Sequence, residues 1–272
     1  MRSWQPFLES RPDVHGAITI VGIPWDSSAS YHRGMRLAPD AIRRASDSIE
    51  SYSAIFDRDL KAIDVADAGN MVLPNDHTNA MDAIATLSER MGRSGARLVF
   101  LGGDHSITIG ILRGLQTVYE GIQVIVLDAH SDWRNEYNGT PFSHACTIRR
   151  LVEAIGSNSV YVSGVRSFIG GEPKALFYDI EKLPMRINPA LPLYLSIDLD
   201  VLDVSICPAV GNPEPDGISY RDVLNLLHAL RTRHCNVVSI DVVELCPQLD
   251  AAETSAIVAA KIVQESIIAL WG

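Results

Sequence analysis

Short apolar runs alternate along the chain with longer segments in which apolar residues recur at helical spacing. Most of the short runs are rich in valine, isoleucine and leucine and alternate little with polar residues, which is typical of strands covered on both faces. Their positions predict seven strands, over residues 18–23, 62–66, 97–101, 124–127, 160–163, 193–197 and 237–240.

The segments between these strands carry the period of amphipathic helices. We predict helices over residues 40–45, 79–91, 223–230 and 254–270. Pro39 suits the first position of the first helix. Ser219 and Asp222 form a capping box ahead of the third helix, and residues 250–253 form a similar box ahead of the fourth. The alternation of strands and helices predicts an α/β fold in which helices cover both faces of a mainly parallel sheet.

No internal repeat, low-complexity tract or linker interrupts this alternation. The nearest candidate for a domain boundary is the proline- and glycine-bearing stretch 208–217, but strands and helices continue to alternate beyond it. At roughly 150 residues per domain, a chain of 272 residues corresponds to between one and two domains. We therefore predict a single domain over residues 1–272 and interpret residues 208–217 as a loop.

Composition and net charge exclude several classes of protein and of binding partner. Hydrophobic residues make up 47% of the chain and charged residues 21%, which argues against disorder and coiled coil. The net charge of −10 disfavours nucleic acid and anionic membranes as partners. No stretch approaches the ~18 uninterrupted apolar residues of a membrane helix, and residues 1–6 lack a signal core. The four cysteines show neither metal spacing nor a disulfide framework, so we expect reduced thiols in a cytoplasmic protein.

Polar residues follow four of the predicted strands at their carboxyl ends, where open α/β sheets bind ligands. The segments are 102–106 (GGDHS), 128–132 (DAHSD), 198–200 (DLD) and 241–244 (DVVE). In an extended chain, side chains two residues apart point to the same face. We therefore expect Asp128, His130 and Asp132 to project together, and likewise Asp198 and Asp200.

With His105 from the neighbouring segment, the set contains four carboxylates and two imidazoles. Any one of these residues alone would more often be a helix cap, a turn residue or a core histidine; the joint pattern favours a metal site. Four carboxylates in one small site raise one another's pKa steeply, and two divalent cations would offset their charge. Oxygen-rich ligation with a minority of imidazole favours Mn²⁺ over zinc, so we predict two Mn²⁺ ions per chain.

These motifs resemble those of the ureohydrolases, the family of arginases and agmatinases. The resemblance rests on 102–106, 128–132 and 196–203 (SIDLDVLD), on 21–26 (VGIPWD) and 34–43 upstream, and on 241–247 downstream. Residues 132–139 and 143–145 are more similar to prokaryotic agmatinases than to arginases. The resemblance implies a three-layer α/β/α domain with a dinuclear Mn²⁺ site.

It also implies the ligands of each ion. One metal would take His105, Asp128, Asp132 and Asp198. The other would take Asp128, His130, Asp198 and Asp200, so that Asp128 and Asp198 bridge. Members of the family usually assemble as trimers or hexamers, and we expect a homo-oligomer.

The reaction that the resemblance implies is hydrolysis of agmatine to putrescine and urea, a step of polyamine biosynthesis. Two divalent cations lower the pKa of a water that they share, and the hydroxide attacks the guanidinium carbon. Asp132 would accept a hydrogen bond from this hydroxide. His144 matches the histidine that transfers a proton to the departing amine. Glu244 matches the glutamate that pairs with the guanidinium, and Asp241 is a candidate to support it.

The motifs specify the guanidino group of the substrate more closely than the chemical group at its other end. Arg134 would suit an acidic tail, whereas Glu136 or carbonyl oxygens would suit an amine. The loop 203–217 departs from the usual agmatinase sequence at Val204, at Ala209 and Val210, and at Asn212 and Asp216.

Alternatives to agmatine hydrolysis are compatible with the same motifs. The same hydrolysis could act on guanidinobutyrate, guanidinopropionate or arginine. The chain could also be a non-catalytic metal-binding subunit, or a single-zinc deacetylase on a similar fold. We expect Arg166 to be structural or to form an ion pair at a subunit interface rather than to contact the substrate.

Overall fold

The computed structural model describes residues 4–272. Its strands are β1 (Ile18–Gly22), β2 (Tyr52–Ser53), β3 (Arg58–Asp59), β4 (Val65–Asn70), β5 (Arg97–Leu101), β6 (Gln123–Leu127), β7 (Val160–Ser163), β8 (Leu193–Asp198) and β9 (Val237–Val243). Seven of them pair in parallel in the order β4-β1-β5-β9-β8-β6-β7, and β2 and β3 form a separate antiparallel pair.

The predicted strands agree with this sheet except near residue 62. There, Leu60–Ala62 form a short 3₁₀ turn, because the carboxylate of Asp59 accepts the Lys61 amide at 3.0 Å. The strand begins later, at Val65, and runs to Asn70. At the other end of the chain β9 extends to Val243, so that Asp241 lies inside the strand rather than after it.

The helices are α1 (Ala38–Ser46), α2 (His77–Gly92), α3 (Ile107–Leu115), α4 (Thr147–Ile155), α5 (Tyr220–Thr232) and α6 (Thr254–Trp271). Helices α1, α5 and α6 share one buried hydrophobic cluster with the sheet, and α2, α3 and α4 share the other. The two clusters lie on opposite faces, so the predicted three-layer α/β/α class is confirmed.

Two of the helices were not predicted. Eight of the nine residues of α3 are buried, and seven of those eight are Ile, Leu or Gly, so no polar face marks a helical period. Helix α4 also has only nine residues and directly follows a 3₁₀ turn. The sequence of α4 is amphipathic, with Ile148 and Leu151 on its buried face, but its nine residues cover too few turns to establish a helical repeat.

The capping predictions had mixed outcomes. The box of Ser219 and Asp222 is confirmed at the start of α5. The box predicted over 250–253 is wrong, because Glu253 occupies the N-cap with φ of 57° and makes no side-chain cap. Asp250 reaches further, and its carboxylate accepts the Ser255 amide at 2.8 Å.

Helix α6 is long and apolar enough, by length and composition, to cross a membrane, with a mean hydropathy of 1.3. However, 67% of it is buried inside the protein, where it packs against α1 and α5. Lys261 and Glu265 interrupt its apolar sequence and form a 3.2 Å ion pair. Burial in the core therefore accounts for the apolar character of this helix.

The strand order explains how distant motifs meet. Strands β5, β9, β8 and β6 are consecutive neighbours at the centre of the sheet. All four run in the same direction, so the polar segments that follow or end them lie along one edge. This is the edge at which open α/β sheets bind ligands.

Candidate metal centre and substrate cleft

Six side chains converge at this edge of the sheet. We call them the acid–imidazole cluster: His105, Asp128, His130, Asp132, Asp198 and Asp200. The Nδ1 atom of His105 lies 3.0 Å from Oδ2 of Asp128 and 3.2 Å from Oδ2 of Asp198. Oδ2 of Asp132 lies 3.3 Å from the same nitrogen. Within residues 4–272, neither His105 Nδ1 nor Asp128 Oδ2 has a hydrogen-bond partner.

A second group adjoins the first. Nδ1 of His130 lies 2.8 Å from Oδ2 of Asp200 and 3.6 Å from Oδ1 of Asp128. Asp128 therefore belongs to both groups, as a bridging ligand would. Asp198 contacts the imidazole of His105, and its bridging role stays a prediction.

Backbone amides hold three of the carboxylates by one oxygen each. Oδ1 of Asp128 accepts the His130 amide at 2.6 Å, and Oδ1 of Asp198 accepts the Asp200 amide at 2.9 Å. Oδ1 of Asp200 accepts the Ala129 amide at 3.0 Å. The Oδ2 atom of each residue is thereby left to face the cluster.

The six predicted residues lie together in the cluster, but same-face spacing along extended strands, the predicted cause, is wrong for two of them. Asp132 has a left-handed backbone with φ of 40°, and Asp200 lies in the 3₁₀ turn Leu199–Val201. Neither position is extended, so same-face spacing along a strand does not apply there. Tight turns after β6 and β8 bring these carboxylates into the cluster.

The tautomer of His105 follows from its hydrogen-bond partners. Its Nε2 lies 3.1 Å from Oγ of Ser196, and Ser196 donates its hydrogen to Asp241 at 2.7 Å. The hydroxyls of Thr108 and Tyr194 donate to the same carboxylate. Because the only hydroxyl hydrogen of Ser196 is donated to Asp241, its oxygen can only accept a hydrogen bond from His105. Nε2 then carries the proton of the neutral ring, and Nδ1 presents a lone pair to the carboxylate oxygens.

Charge repulsion in the cluster is severe. Burial raises the pKa of Asp198 well above its usual range, and the charges of Asp200 and Asp128 raise it further. Burial and the charge of Asp128 raise the pKa of Asp132 to about 7. Burial lowers the pKa of His130, but contacts with Asp128 and Asp200 outweigh it and raise the value to about 12. A buried, oxygen-rich donor set of this kind fits divalent cations.

Glu244 lies beside the cluster with one oxygen occupied and one free. Its Oε1 accepts the His105 amide at 2.7 Å and lies 3.1 Å from Nδ1 of His144. Its Oε2 is buried and has no partner among residues 4–272. A Cβ at Gly211 would lie 2.5 Å from Oε2, so only glycine leaves this space. Glu244 itself has φ of 68°, a strained conformation for a residue other than glycine, and it lines the cleft.

His144 is held at both its main chain and its ring. Its amide donates to Ser28 Oγ at 2.9 Å, and Ser28 donates in turn to Asp104 at 2.9 Å. Burial lowers the pKa of His144, but the Glu244 carboxylate outweighs it and raises the value to about 9. Neither Ser28 nor Asp104 was predicted to support the site, although Asp104 lies inside the GGDHS motif.

The cluster opens into a cleft of about 260 Å³. Arg134 lines it, with the guanidinium 5.2 Å from the centre of the Tyr137 ring. Glu136 is exposed and does not line the cleft as described for residues 4–272, so its predicted contact with an amine tail is not supported. Besides the cluster and Glu244, one further acidic residue of the described chain lines the cleft: Glu214, whose Oε1 lies 3.7 Å from Nε2 of His130. Its position in the divergent 203–217 loop was the only sequence signal for it.

Arg166 is structural, as expected, but it forms no ion pair in the described part of the chain. Its guanidinium donates to five main-chain carbonyl oxygens, at distances of 2.7–3.2 Å. The acceptors are Gly164, Asp200, Val201, Glu214 and Pro215. Arg166 therefore joins the turn that carries Asp200 to the loop that carries Glu214.

The arginase family model matches residues 16–269. This chain belongs to the arginase family. The agmatinase of Bacillus subtilis is 32% identical over 98% of this chain and 96% of its own length. The N(1)-aminopropylagmatine ureohydrolase of Thermococcus kodakarensis is 30% identical over 92% and 90%. The agmatine ureohydrolase structure of Thermoplasma volcanium has a TM-score of 0.90 and 30% identity, covering 99% of this chain and 95% of that one. The resemblance predicted from the motifs is confirmed, and this arginase-family chain is an agmatinase-like ureohydrolase enzyme.

Proposed function

We propose that this chain hydrolyses agmatine to putrescine and urea with two Mn²⁺ ions in the acid–imidazole cluster. The observation that carries the proposal is the side chain of Glu244, which lines the cleft beside the cluster and has a buried oxygen, Oε2, without a hydrogen-bond partner within residues 4–272. A buried carboxylate oxygen without a partner is costly, and a planar guanidinium would satisfy it with a directional, charge-assisted contact.

The cluster supplies the ligands that such a centre needs. In the proposed assignment, His105, Asp128, Asp132 and Asp198 would hold one ion. Asp128, His130, Asp198 and Asp200 would hold the other. The ions would lower the pKa of a water and stabilise charge that develops during hydrolysis.

Three side chains would then bind the guanidinium, orient the attacking oxygen and protonate the leaving nitrogen. Glu244 binds the guanidinium and orients its carbon toward the cluster. Asp132 accepts a hydrogen bond from the attacking oxygen and keeps it in line. His144, 3.1 Å from Glu244, protonates the nitrogen that leaves as the carbon–nitrogen bond breaks.

The charge of the cleft wall supports an amine-tailed substrate. Glu214 lines the cleft, and its carboxylate would pair with the terminal amine of an extended guanidino compound. Arg134 lines the same cleft, and this observation supports a second candidate, an acid-tailed compound such as guanidinobutyrate. The position of the Arg134 guanidinium over the Tyr137 ring favours agmatine, because this cation already has an aromatic partner.

Urea release across a panel of agmatine, arginine, 4-guanidinobutyrate and 3-guanidinopropionate tests the proposal. We expect agmatine to give the highest kcat/KM with the Mn²⁺-loaded chain. Glu214→Gln should raise KM for agmatine about tenfold by removing one charge contact, whereas the exposed Glu136→Gln should behave like the parent. Preference for an acid-tailed compound, abolished by Arg134→Gln, would contradict the substrate assignment.

The same proposal includes a cytoplasmic homo-oligomer, either a trimer or a hexamer. Mass measurement by light scattering at working concentration tests the oligomeric state.

A further inference from the structure

The loop 26–34 holds His144 at two points. Ser28 accepts the His144 main-chain amide at 2.9 Å, and Ser30 Oγ lies 3.0 Å from Nε2 of the imidazole. The remaining ring nitrogen, Nδ1, lies 3.1 Å from Glu244 Oε1. The ring is therefore fixed from both sides, although Ser30 itself is exposed at the cleft.

A third residue sets the direction of these hydrogen bonds. Ser30 donates its hydroxyl hydrogen to Oδ1 of Asn212 at 3.2 Å. The hydroxyl has no second hydrogen, so its oxygen accepts from Nε2 of His144. Glu244 accepts at the other nitrogen. Both neighbours of the imidazole thus require a donor, and only the doubly protonated ring satisfies them together.

The loop carrying Asn212 is tied to the loop carrying Ser30. The His32 amide donates to the Gly211 carbonyl at 3.3 Å, immediately beside the Ser30–Asn212 contact. Gly211 is also the residue whose missing side chain leaves room for Glu244. The position of Asn212 is therefore linked to the same wall that shapes the guanidinium site.

We propose that Ser30, oriented by Asn212, is a positioning residue that keeps His144 protonated at both nitrogens and ready to protonate the leaving nitrogen. The inference rests on the proposed hydrolysis. As the carbon–nitrogen bond breaks, its electron pair stays on the leaving nitrogen, which takes the proton from His144. The water consumed in the reaction supplies the proton that restores the ring.

The kinetic test compares Ser30→Ala with two controls. Ser30→Thr keeps the hydroxyl, and Ser27→Ala removes an exposed hydroxyl of the same loop that makes no side-chain hydrogen bond in the described residues. We expect Ser30→Ala to lower kcat for agmatine about tenfold, a part of the roughly 10²–10⁴-fold that proton transfer supplies. KM should change less, Ser30→Thr should recover most of kcat, and Ser27→Ala should match the parent.

Leaving-group basicity separates proton transfer from a general loss of structure. An agmatine analogue with fluorine on the carbon β to the guanidino nitrogen releases a less basic amine, which depends less on an acid. The kcat defect of Ser30→Ala should therefore be smaller with the analogue than with agmatine. An equal defect on both substrates, or full kcat in Ser30→Ala, would overturn the proposal.

A spectroscopic readout does not depend on the substrate. Nitrogen-15 spectra of ring-labelled histidine near neutral pH, with His144→Gln for assignment, should show two protonated nitrogens for His144. Ser30→Ala and Asn212→Leu should weaken the Nε2 proton signal. If the parent releases no urea from agmatine but shows this signature, the proposed substrate fails and the positioning of His144 stands. A singly protonated His144 in the parent would overturn the positioning role.

Discussion

Arg166 donates a hydrogen bond of 2.7 Å to the main-chain carbonyl oxygen of Asp200, whose side chain faces His130 in the cluster. The same guanidinium nitrogen donates to the Glu214 carbonyl at 2.9 Å. One side chain therefore fixes both a proposed metal ligand and the acidic wall of the cleft. Because no carboxylate pairs with it in residues 4–272, its contribution depends on the fork geometry of the guanidinium rather than on charge alone.

Arg166→Lys should therefore impair the site although it keeps the charge. A lysine cannot donate to five carbonyl oxygens at once, so the turn at Asp200 loosens and the Glu214 loop moves. We expect weaker binding of the second Mn²⁺ ion, by about tenfold, together with a higher KM for substrate. Calorimetric Mn²⁺ titration measures the first effect. Arg149→Lys, at an exposed i,i+4 pair with Glu153, is the control, and equal behaviour of the two variants would contradict the account.

Ser196→Ala should weaken metal binding without touching a ligand. The change removes the oxygen that accepts from Nε2 of His105, so the ring loses the partner that fixes its tautomer and orientation. Groups that orient a ligand in this way typically change metal affinity by about 10–100-fold. Residual Mn²⁺ after dialysis against graded chelator measures the effect. Ser239→Ala, a buried serine of β9 with no side-chain hydrogen bond in the described chain, is the control.

The buried ion pair of Arg43 and Asp67 should be important for stability. The two side chains are almost fully buried and form two contacts of 2.8 Å. Arg43→Met leaves the Asp67 carboxylate buried without its cation, which costs about 3–5 kcal/mol of unfolding free energy. Denaturant unfolding monitored by circular dichroism measures the loss. Arg93→Met, at an exposed pair with Glu89, should cost about 0–1 kcal/mol, and a similar loss in both variants would refute the distinction.

The cysteines should be unreactive in the folded protein. Burial raises the pKa of the Cys207 thiol to about 12 and that of Cys146 to about 11, and Cys246 is fully buried. Thiolate is the reactive form, so a disulfide reagent at mildly alkaline pH should label at most the partly exposed Cys235. All four should react in denaturant. Rapid labelling of several thiols in the native state would show that these regions open readily.

The sheet and the cluster could be predicted from sequence because their signals are local. A buried strand is marked by a run of branched apolar residues, and the acids that follow it stand directly after that run. His105 and Asp128 were found in this way. Their convergence follows from the parallel direction of neighbouring strands, which the βα alternation already indicates.

The cleft wall could not be predicted in the same way, because it depends on how loops fold over the sheet. Glu136 and Glu214 are both acids near family motifs, and only the path of the loop decides which one lines the cleft. The carbonyl contacts of Arg166 lie up to 49 residues away and involve main-chain atoms, which leave no residue-specific pattern. The left-handed backbone of Glu244 could not be predicted from the sequence either, since glutamate does not favour that conformation.

The central claim is a dinuclear centre that hydrolyses a guanidino group, and one titration tests it directly. Urea release from agmatine is measured while Mn²⁺ is added to metal-free protein, with bound metal determined in the same samples. The account predicts that activity rises until two Mn²⁺ ions are bound per chain and then stays constant. Binding of a single ion, or two bound ions without urea release from agmatine or the other guanidino compounds, would contradict it.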